Sequence, residues 1–181
     1  FTPIDGMKVI CNIVSYGKVM AVEVVKKIGY KDDPGVDILS VLLDHDIQPE
    51  FPEEVVAEVR NIPQTVQEEE KKNRRDLTNV ITVTIDGDSS KDFDDAVSVC
   101  RIDKGYNLKV SIADVSHYVK EGSALDAEAL KRSFSTYVTD RVVPMLPHEL
   151  SNGICSLNPH VERLALTCDM NVDLDGNIVD Y

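Results

Sequence analysis

Residues 84–97 of this 181-residue chain have the sequence Thr84-Ile85-Asp86-Gly87-Asp88-Ser89-Ser90-Lys91-Asp92-Phe93-Asp94-Asp95-Ala96-Val97. From Asp86 to Asp95 there are five acidic residues and one lysine, so the formal local charge is −4. The apolar–threonine alternation before Asp86 predicts a half-buried strand over Val80–Ile85, and a second strand begins at Ala96. Because Gly87–Ser90 has the composition of a turn, we expect the chain to reverse there and bring the later carboxylates back beside Asp86.

Carboxylates held this close together repel one another, by about 1 kcal/mol per pair at ~4 Å in water and by roughly 4 kcal/mol at an effective dielectric near 20. Such a cluster either raises the pKa values of its members or recruits a cation. Carboxylate oxygens suit Mg²⁺, Mn²⁺ or Ca²⁺ better than zinc. A carboxylate-bound Mg²⁺ can activate water for attack on a phosphodiester. The cluster therefore predicts metal-assisted phosphodiester hydrolysis, with the cation allowing an acidic protein to contact RNA.

Two other interpretations of the acidic stretch stay open. A calcium loop of the EF-hand type needs glycine where Lys91 stands and glutamate where Val97 stands, and the flanking segments are predicted as strands. An ordinary solvated acidic turn is the second alternative. Against it, the neighbouring apolar residues Ile85, Phe93 and Ala96 predict a partly buried cluster, where uncompensated charge is costly.

The whole chain is acidic, with 19 Lys and Arg, 32 Asp and Glu and a net charge of −13. This balance excludes a simple polyanion-binding surface, because phosphate contacts normally come from clustered Lys and Arg. No apolar run reaches the roughly 18 residues that cross a bilayer, and no segment has the pattern of a signal peptide. We therefore expect no membrane partner. The four scattered cysteines form no C-x-x-C pair, which favours reduced thiols in a cytoplasmic protein.

Before the acidic stretch, two β-rich runs are separated by Tyr16-Gly17. They predict an antiparallel hairpin of Met7–Val14 and Lys18–Val25 that belongs to a small barrel or sheet. A short helix is predicted over Val36–Leu43, and a second one starts with Pro52 at its first helical position. Gln64–Asp76 is rich in charge and is predicted as a solvated linker or an exposed helix.

After the acidic stretch, the pattern alternates between strands and one helix. Strands are predicted at Ala96–Val99 and Leu108–Ile112, and a capping-box pattern at Ser123 begins a helix that ends near Phe134. A final hairpin is predicted from Leu164 onward, around the turn Asp175-Gly176-Asn177. The fold class is therefore α+β.

The acid spacing, an Asp followed after five residues by Asp-x-Asp-Asp-Ala, resembles the signature of the ribonuclease II and ribonuclease R family, the exoribonucleases with an RNB domain. Three further segments resemble family segments in the same order: Ser111–Val119, Val142–Pro147 and Leu150–Pro159. The resemblance is strong over Arg75–Tyr181 and is nearer to ribonuclease R than to ribonuclease II. Met7–Gly29 more weakly resembles the end of a cold-shock (OB-type) domain.

The resemblance implies an activity and a set of site residues. The activity is processive 3′→5′ hydrolysis of single-stranded RNA to nucleoside 5′-monophosphates with Mg²⁺, or Mn²⁺ as a substitute, by a monomeric enzyme that does not act on DNA. Asp86, Asp92 and Asp95 match metal-binding aspartates. Asp94 matches the catalytic aspartate that is most essential for turnover, with Asp92 in a supporting catalytic role. Tyr137 matches a tyrosine that packs against the RNA 3′ end, where stacking tolerates any base.

On this resemblance the chain divides into three parts. Residues 1–30 would form the end of an OB-type (cold-shock) β-barrel, and residues 31–75 a helical and charged linker. Residues 76–181 would form the first, largely antiparallel sheet-plus-helix part of an RNB catalytic domain. Because that domain is far longer in the family, we expect a piece of a larger protein that is inactive alone. A non-catalytic RNA-binding or interaction module, with a structural metal in the acidic loop, is the alternative.

Overall fold

The computed structural model describes residues 2–181, which separate into two compact units. One unit holds the residues up to Glu50 together with Ser135–Val143, and the other holds Phe51–Phe134 together with Pro144–Tyr181. The elements in chain order are β1 (Met7–Ser15), β2 (Ala21–Tyr30), α1 (Val36–Asp44), α2 (Glu53–Val59), β3 (Asp95–Ile102), β4 (Gly105–Ala113), α3 (Val115–Tyr118), α4 (Ala124–Arg132), β5 (Thr136–Tyr137), β6 (Val142–Val143), an irregular helical segment (Glu149–Ile154), β7 (Ala165–Asp173) and β8 (Ile178–Asp180). Within residues 2–181, no helix combines the length and the apolar composition needed to cross a bilayer.

The first unit is built on the hairpin of β1 and β2, as predicted. The two strands pair antiparallel from Met7 opposite Tyr30 to Ser15 opposite Ala21, with three irregularities of register between them. They form a two-stranded sheet, and no closed barrel is present in the described residues. α1 then begins after Gly35, whose φ of 77° lies in the left-handed region that glycine adopts without strain.

The second unit contains a four-stranded antiparallel sheet in the order β3-β4-β7-β8, which confirms the predicted largely antiparallel architecture. Side chains alternate between the two faces of this sheet. One face is polar: Lys109 Nζ and Asn107 Nδ2 both donate to Asp169 Oδ1, each at 2.8 Å. The opposite face carries exposed apolar residues, among them Val99 and Leu166.

The apolar core of the second unit lies among its helices. Its buried members come from α2, α3, α4 and the segments around the irregular helix: Val55, Val59, Tyr118, Leu125, Leu150, Ile154, Cys155 and Leu164. The Leu125 N–H donates to the Glu58 carboxylate at 3.0 Å, which joins α4 to α2. The predicted cap of α4 is confirmed, because Ser123 Oγ accepts from the Asp126 N–H at 3.2 Å.

Two local predictions are wrong. Val80–Ile85 is not a regular strand: Val83 forms one isolated bridge to Val97, with N···O distances of 2.9 and 2.8 Å. Ile85 remains 86% exposed, so no neighbouring layer buries the apolar side of the alternation and the pairing does not extend. Pro52 is the N-cap of α2, with φ −56° and ψ 153°, and Glu53 is its first helical residue.

The charged segment Gln64–Asp76 contains no helix and consists largely of turns. Most of its residues are exposed, as expected of a solvated segment, but four side chains in its second half form ion pairs with later parts of the second unit. These pairs are Glu70–His117 (2.8 Å), Lys71–Glu162 (2.6 Å), Arg74–Asp114 (2.6 Å) and Arg75–Asp169 (2.8 Å). The segment is therefore attached to the domain that follows it.

Candidate functional site

The backbone before β3 is held by a segment that lies more than 60 residues later in the chain. The Phe93 N–H donates to Ser156 Oγ at 3.0 Å, and the same hydroxyl donates to the Lys91 carbonyl at 3.0 Å. The Leu157 N–H donates to the Phe93 carbonyl at 2.9 Å. These three bonds fix the backbone on both sides of Asp92.

The end of the acidic stretch is fixed by the sheet. The Ala113 N–H donates to the Asp94 carbonyl at 2.9 Å, and Asp95 is the first residue of β3, opposite Ile112 of β4. Upstream, the Ser90 N–H donates to the Gly87 carbonyl at 2.9 Å, so the predicted polar turn is present. Because a strand follows the acids where an EF-hand has a helix, the calcium-loop alternative does not fit this structure.

The predicted catalytic and metal-binding acids act on one another electrostatically. The pKa of Asp94 is raised above its ordinary value, first because its carboxyl group loses part of its hydration, and then through the negative charges of Asp92, Asp95 and Asp86. Asp94 nevertheless remains exposed by surface area. The loop therefore collects charge at one place and leaves it accessible to solvent.

The carboxylates do not chelate as they stand. In the part of the chain that the structure describes, no three Asp, Glu, His or Cys side chains converge closely enough to hold a metal ion. The prediction that the cluster is partly buried is wrong by surface area, because its five aspartates are all exposed, and so is Ile85. Among the flanking apolar residues, Phe93 is half-buried and Ala96 is 4% exposed. The chemical type of these groups nevertheless fits Mg²⁺, because carboxylate oxygens are the hard ligands that it prefers and the four aspartates lie close enough to affect one another's charge.

Tyr137 lies in the first unit, on the short strand β5, where it pairs with Val142 of β6. Its side chain is 67% exposed. An exposed aromatic ring is what base stacking requires, so its surface position is compatible with the role that the resemblance implies.

A buried ionic network beside the site was missed at the level of sequence. Asp114 directly follows Ala113, whose N–H donates to the Asp94 carbonyl. The Asp114 side chain is 6% exposed and accepts hydrogen bonds from Arg74 at 2.6 Å and from Ser116 at 2.9 Å. Burial by itself raises the pKa of Asp114, but these hydrogen bonds and the Arg74 charge lower it overall. The charge run 64–76 gave no signal of this, because its partners lie about 40 residues away.

Family descriptions match most of the chain. The RNB domain matches residues 74–181, and the cold shock domain matches residues 2–52. Ribonuclease R of Thermotoga maritima is 51% identical over 188 residues, which cover 98% of this chain and 26% of that protein. The chain thus spans about a quarter of the length of that relative.

Solved structures give the same fold. Ribonuclease R of Mycoplasma genitalium, solved in complexes with double-stranded RNA and with ribose methylated single-stranded RNA, superposes with a TM-score of 0.88 at 36% identity. The match to the double-stranded complex covers 98% of this chain and 33% of that one. Yeast Ssd1, a pseudonuclease, is 21% identical with a TM-score of 0.68 over 97% of this chain and 23% of its own, a similarity of fold alone.

Proposed function

This chain belongs to the RNB domain family, and from that premise we propose that it forms the acidic part of the active site of a Mg²⁺-dependent exoribonuclease. The enzyme hydrolyses single-stranded RNA from the 3′ end and releases nucleoside 5′-monophosphates. The observation that carries the proposal is the fixed backbone of the acidic loop, where Ala113 holds the Asp94 carbonyl and Ser156 contacts the residues on both sides of Asp92. The raised pKa of Asp94, caused first by desolvation and then by the charges of the other aspartates, supports it. The ribonuclease R relatives, one of them solved in two complexes with RNA, support RNA as the substrate class.

Each aspartate has a distinct task in this proposal. Asp86, Asp92 and Asp95 hold the cation, and Asp94 acts in turnover, supported by Asp92. A bound Mg²⁺ supplies positive charge that activates water and stabilises the leaving oxygen of the phosphodiester. Without a bound cation, desolvation and then the neighbouring negative charges raise the pKa of Asp94, so a cation and a proton would compete for the same group of oxygens. Tyr137 stacks on a base of the RNA without reading its sequence.

The second candidate function is a non-catalytic RNA-binding module whose acidic loop holds a structural metal. It stays open because no three carboxylates converge among residues 2–181, so the structure holds no preformed catalytic metal site that would favour the first candidate. Fold alone does not separate the two candidates, because function depends on the site that a fold carries. The effect of replacing individual aspartates decides between the two candidate functions.

A chimera tests the proposal: the 181-residue chain replaces the aligned quarter of the Thermotoga maritima relative. We expect Mg²⁺-dependent release of mononucleotides from labelled single-stranded RNA. Asp94→Asn should reduce the rate by at least about 100-fold with little change in RNA affinity, because the interaction it removes is made in the transition state. Asp88→Asn is the matched control, which removes one charge from the same loop and should leave the rate within about twofold.

Equal activity of the Asp94→Asn and Asp88→Asn chimeras would favour the non-catalytic module. A folded but inactive parent chimera would contradict the exoribonuclease proposal directly. The 181-residue chain alone should release no mononucleotides, because it spans only 26% of the length of that relative and the rest of the enzyme is needed to hold the RNA. Thin-layer chromatography of the released mononucleotides measures the activity of the parent chimera, of its two variants and of the 181-residue chain alone.

A further inference from the structure

Ser156 makes the contacts that bracket Asp92. Its side chain is completely buried, and its hydroxyl lies 3.0 Å from the Phe93 nitrogen and 3.0 Å from the Lys91 carbonyl oxygen. These backbone groups belong to the residues immediately before and after Asp92. One side-chain oxygen therefore holds the backbone on both sides of that aspartate.

The chemistry of these contacts requires a hydroxyl group. Oγ accepts one hydrogen bond from an N–H and donates its own proton to a carbonyl, and a hydroxyl provides both functions on one atom. Alanine provides neither and would leave the two backbone groups without these partners, whereas threonine keeps both. In the apolar run Ile154-Cys155-Ser156-Leu157, the lone hydroxyl is the only sequence trace of this arrangement.

Ser156 is itself firmly placed. Its N–H donates to the Gly153 carbonyl at 3.1 Å, and its carbonyl accepts from Arg163 Nε at 2.9 Å. The next residue, Leu157, donates to the Phe93 carbonyl. The hydroxyl is thus presented from a backbone that is fixed on both sides of Ser156.

We propose that Ser156 is a positioning residue for the acidic site, whose hydroxyl holds the Lys91–Phe93 backbone so that Asp92 and its neighbours can share one divalent cation. The inference rests on the proposed metal-dependent function and deepens it. Ser156 does not touch substrate or metal in this role and acts through the loop.

Hydrogen exchange on the unsubstituted 181-residue chain gives the first test. We expect the Phe93 amide to exchange at least tenfold more slowly than in an unstructured peptide, although exposed aspartates flank it. Exchange of this amide at the unstructured rate would overturn the proposal. This readout involves neither metal nor RNA, so it decides the Ser156 contact even if the proposed exoribonuclease function fails.

Mn²⁺ titration followed by electron paramagnetic resonance gives the second test, because it reports the cation directly. Ser156→Ala should weaken Mn²⁺ binding to the chain at least fivefold, and Ser156→Thr should restore it to within twofold. Ser123→Ala, which removes the cap hydroxyl of α4 and leaves the acidic loop untouched, is the matched control and should bind as the parent does. A folded Ser156→Ala chain with parental Mn²⁺ affinity would overturn the proposal. If the parent chain binds no Mn²⁺, the proposed metal function fails, and the exchange experiment still decides the role of Ser156.

Discussion

Asp94 shows the conflict between an acidic site and the stability of the fold that carries it. Partial desolvation and three neighbouring negative charges raise its pKa, so the ionised form is disfavoured in the folded chain relative to the unfolded one. Without a cation, the charged carboxylate therefore lowers the free energy of unfolding. The same repulsion is what favours cation binding.

The pH dependence of this cost has a definite sign. Below the ordinary value of 3.8, Asp94 is protonated in both states and contributes nothing; as pH rises through the raised folded value, the cost appears and then stays. Asp94→Asn should therefore increase the free energy of unfolding at pH 7 by a few tenths of a kcal/mol to about 1 kcal/mol, since exposure screens the repulsion. The gain should vanish near pH 3.5. Urea denaturation followed by circular dichroism between pH 3.5 and 7 measures it.

Added Mg²⁺ provides the control for this prediction. The cation should stabilise the parent chain and have a smaller effect on Asp94→Asn, because binding to the folded state raises its stability by mass action. A parent chain that is as stable as Asp94→Asn at pH 7 without Mg²⁺ would contradict the repulsion.

The residues of the site could be predicted to different extents. The aspartates form one short stretch, so their spacing identifies them and local turn chemistry predicts their return. Ser156 acts on Phe93 across 63 residues of sequence, and one serine in an apolar run gives no information about its partner. The spacing of apolar residues predicts helices and strands, but it does not predict which residues so far apart in sequence come into contact.

Among the elements, the charged segment Gln64–Asp76 departs most from its sequence prediction. Runs of Glu, Lys and Arg are usually solvated, and Lys72 follows that rule, with its 3.8 Å ion pair to Glu69 largely exposed. Arg74 does not follow it, because its partner Asp114 is almost fully buried. Composition cannot distinguish the Lys72–Glu69 pair from the Arg74–Asp114 pair, because the difference between them is the burial of the acidic partner.

Arg74→Ala should destabilise the chain by about 3 kcal/mol at pH 7, because it leaves the Asp114 carboxylate buried without its charged partner. Lys72→Ala, which removes an exposed ion pair from the same segment, should cost less than about 0.5 kcal/mol. The lowered pKa of Asp114 means that its stabilising contribution is present above pH 3.8 and is lost as pH falls through the lower folded value. The two variants should therefore differ less in stability at strongly acidic pH.

Thermal unfolding of the parent and the two variants at several pH values measures this difference. Equal costs for Arg74→Ala and Lys72→Ala at pH 7 would show that the Arg74–Asp114 pair contributes no more than an exposed one.

The sheet elements were predictable because their period and turns agree. The hairpins of β1 with β2 and of β7 with β8 follow from β-rich runs on either side of short turns. Val80–Ile85 has the same alternation and still forms one bridge, because pairing also needs a partner edge and a layer that buries the apolar side chains. Pattern predicts which face is apolar, and packing decides whether a strand forms.

At the scale of the whole molecule, the net charge of −13 and the proposed RNA substrate oppose each other. A basic protein binds RNA by releasing counterions, and its affinity falls steeply as salt increases. An acidic chain gains no such contribution from its overall charge. In the proposed function, a divalent cation bound at the acidic loop supplies the positive charge that attracts phosphate at one place.

The 181-residue chain should therefore bind single-stranded RNA with little loss of affinity as KCl rises from about 50 to 300 mM, and with at least a tenfold gain on addition of Mg²⁺. Fluorescence anisotropy of a labelled oligoadenylate measures both, with KCl of equal ionic strength as the control for simple screening. Asp86→Asn should remove the gain from Mg²⁺, whereas Asp88→Asn should keep it, since the proposal gives Asp88 no role in holding the cation. Steep weakening by KCl together with indifference to Mg²⁺ would place RNA binding on basic side chains instead, and the acidic loop would then have no part in it.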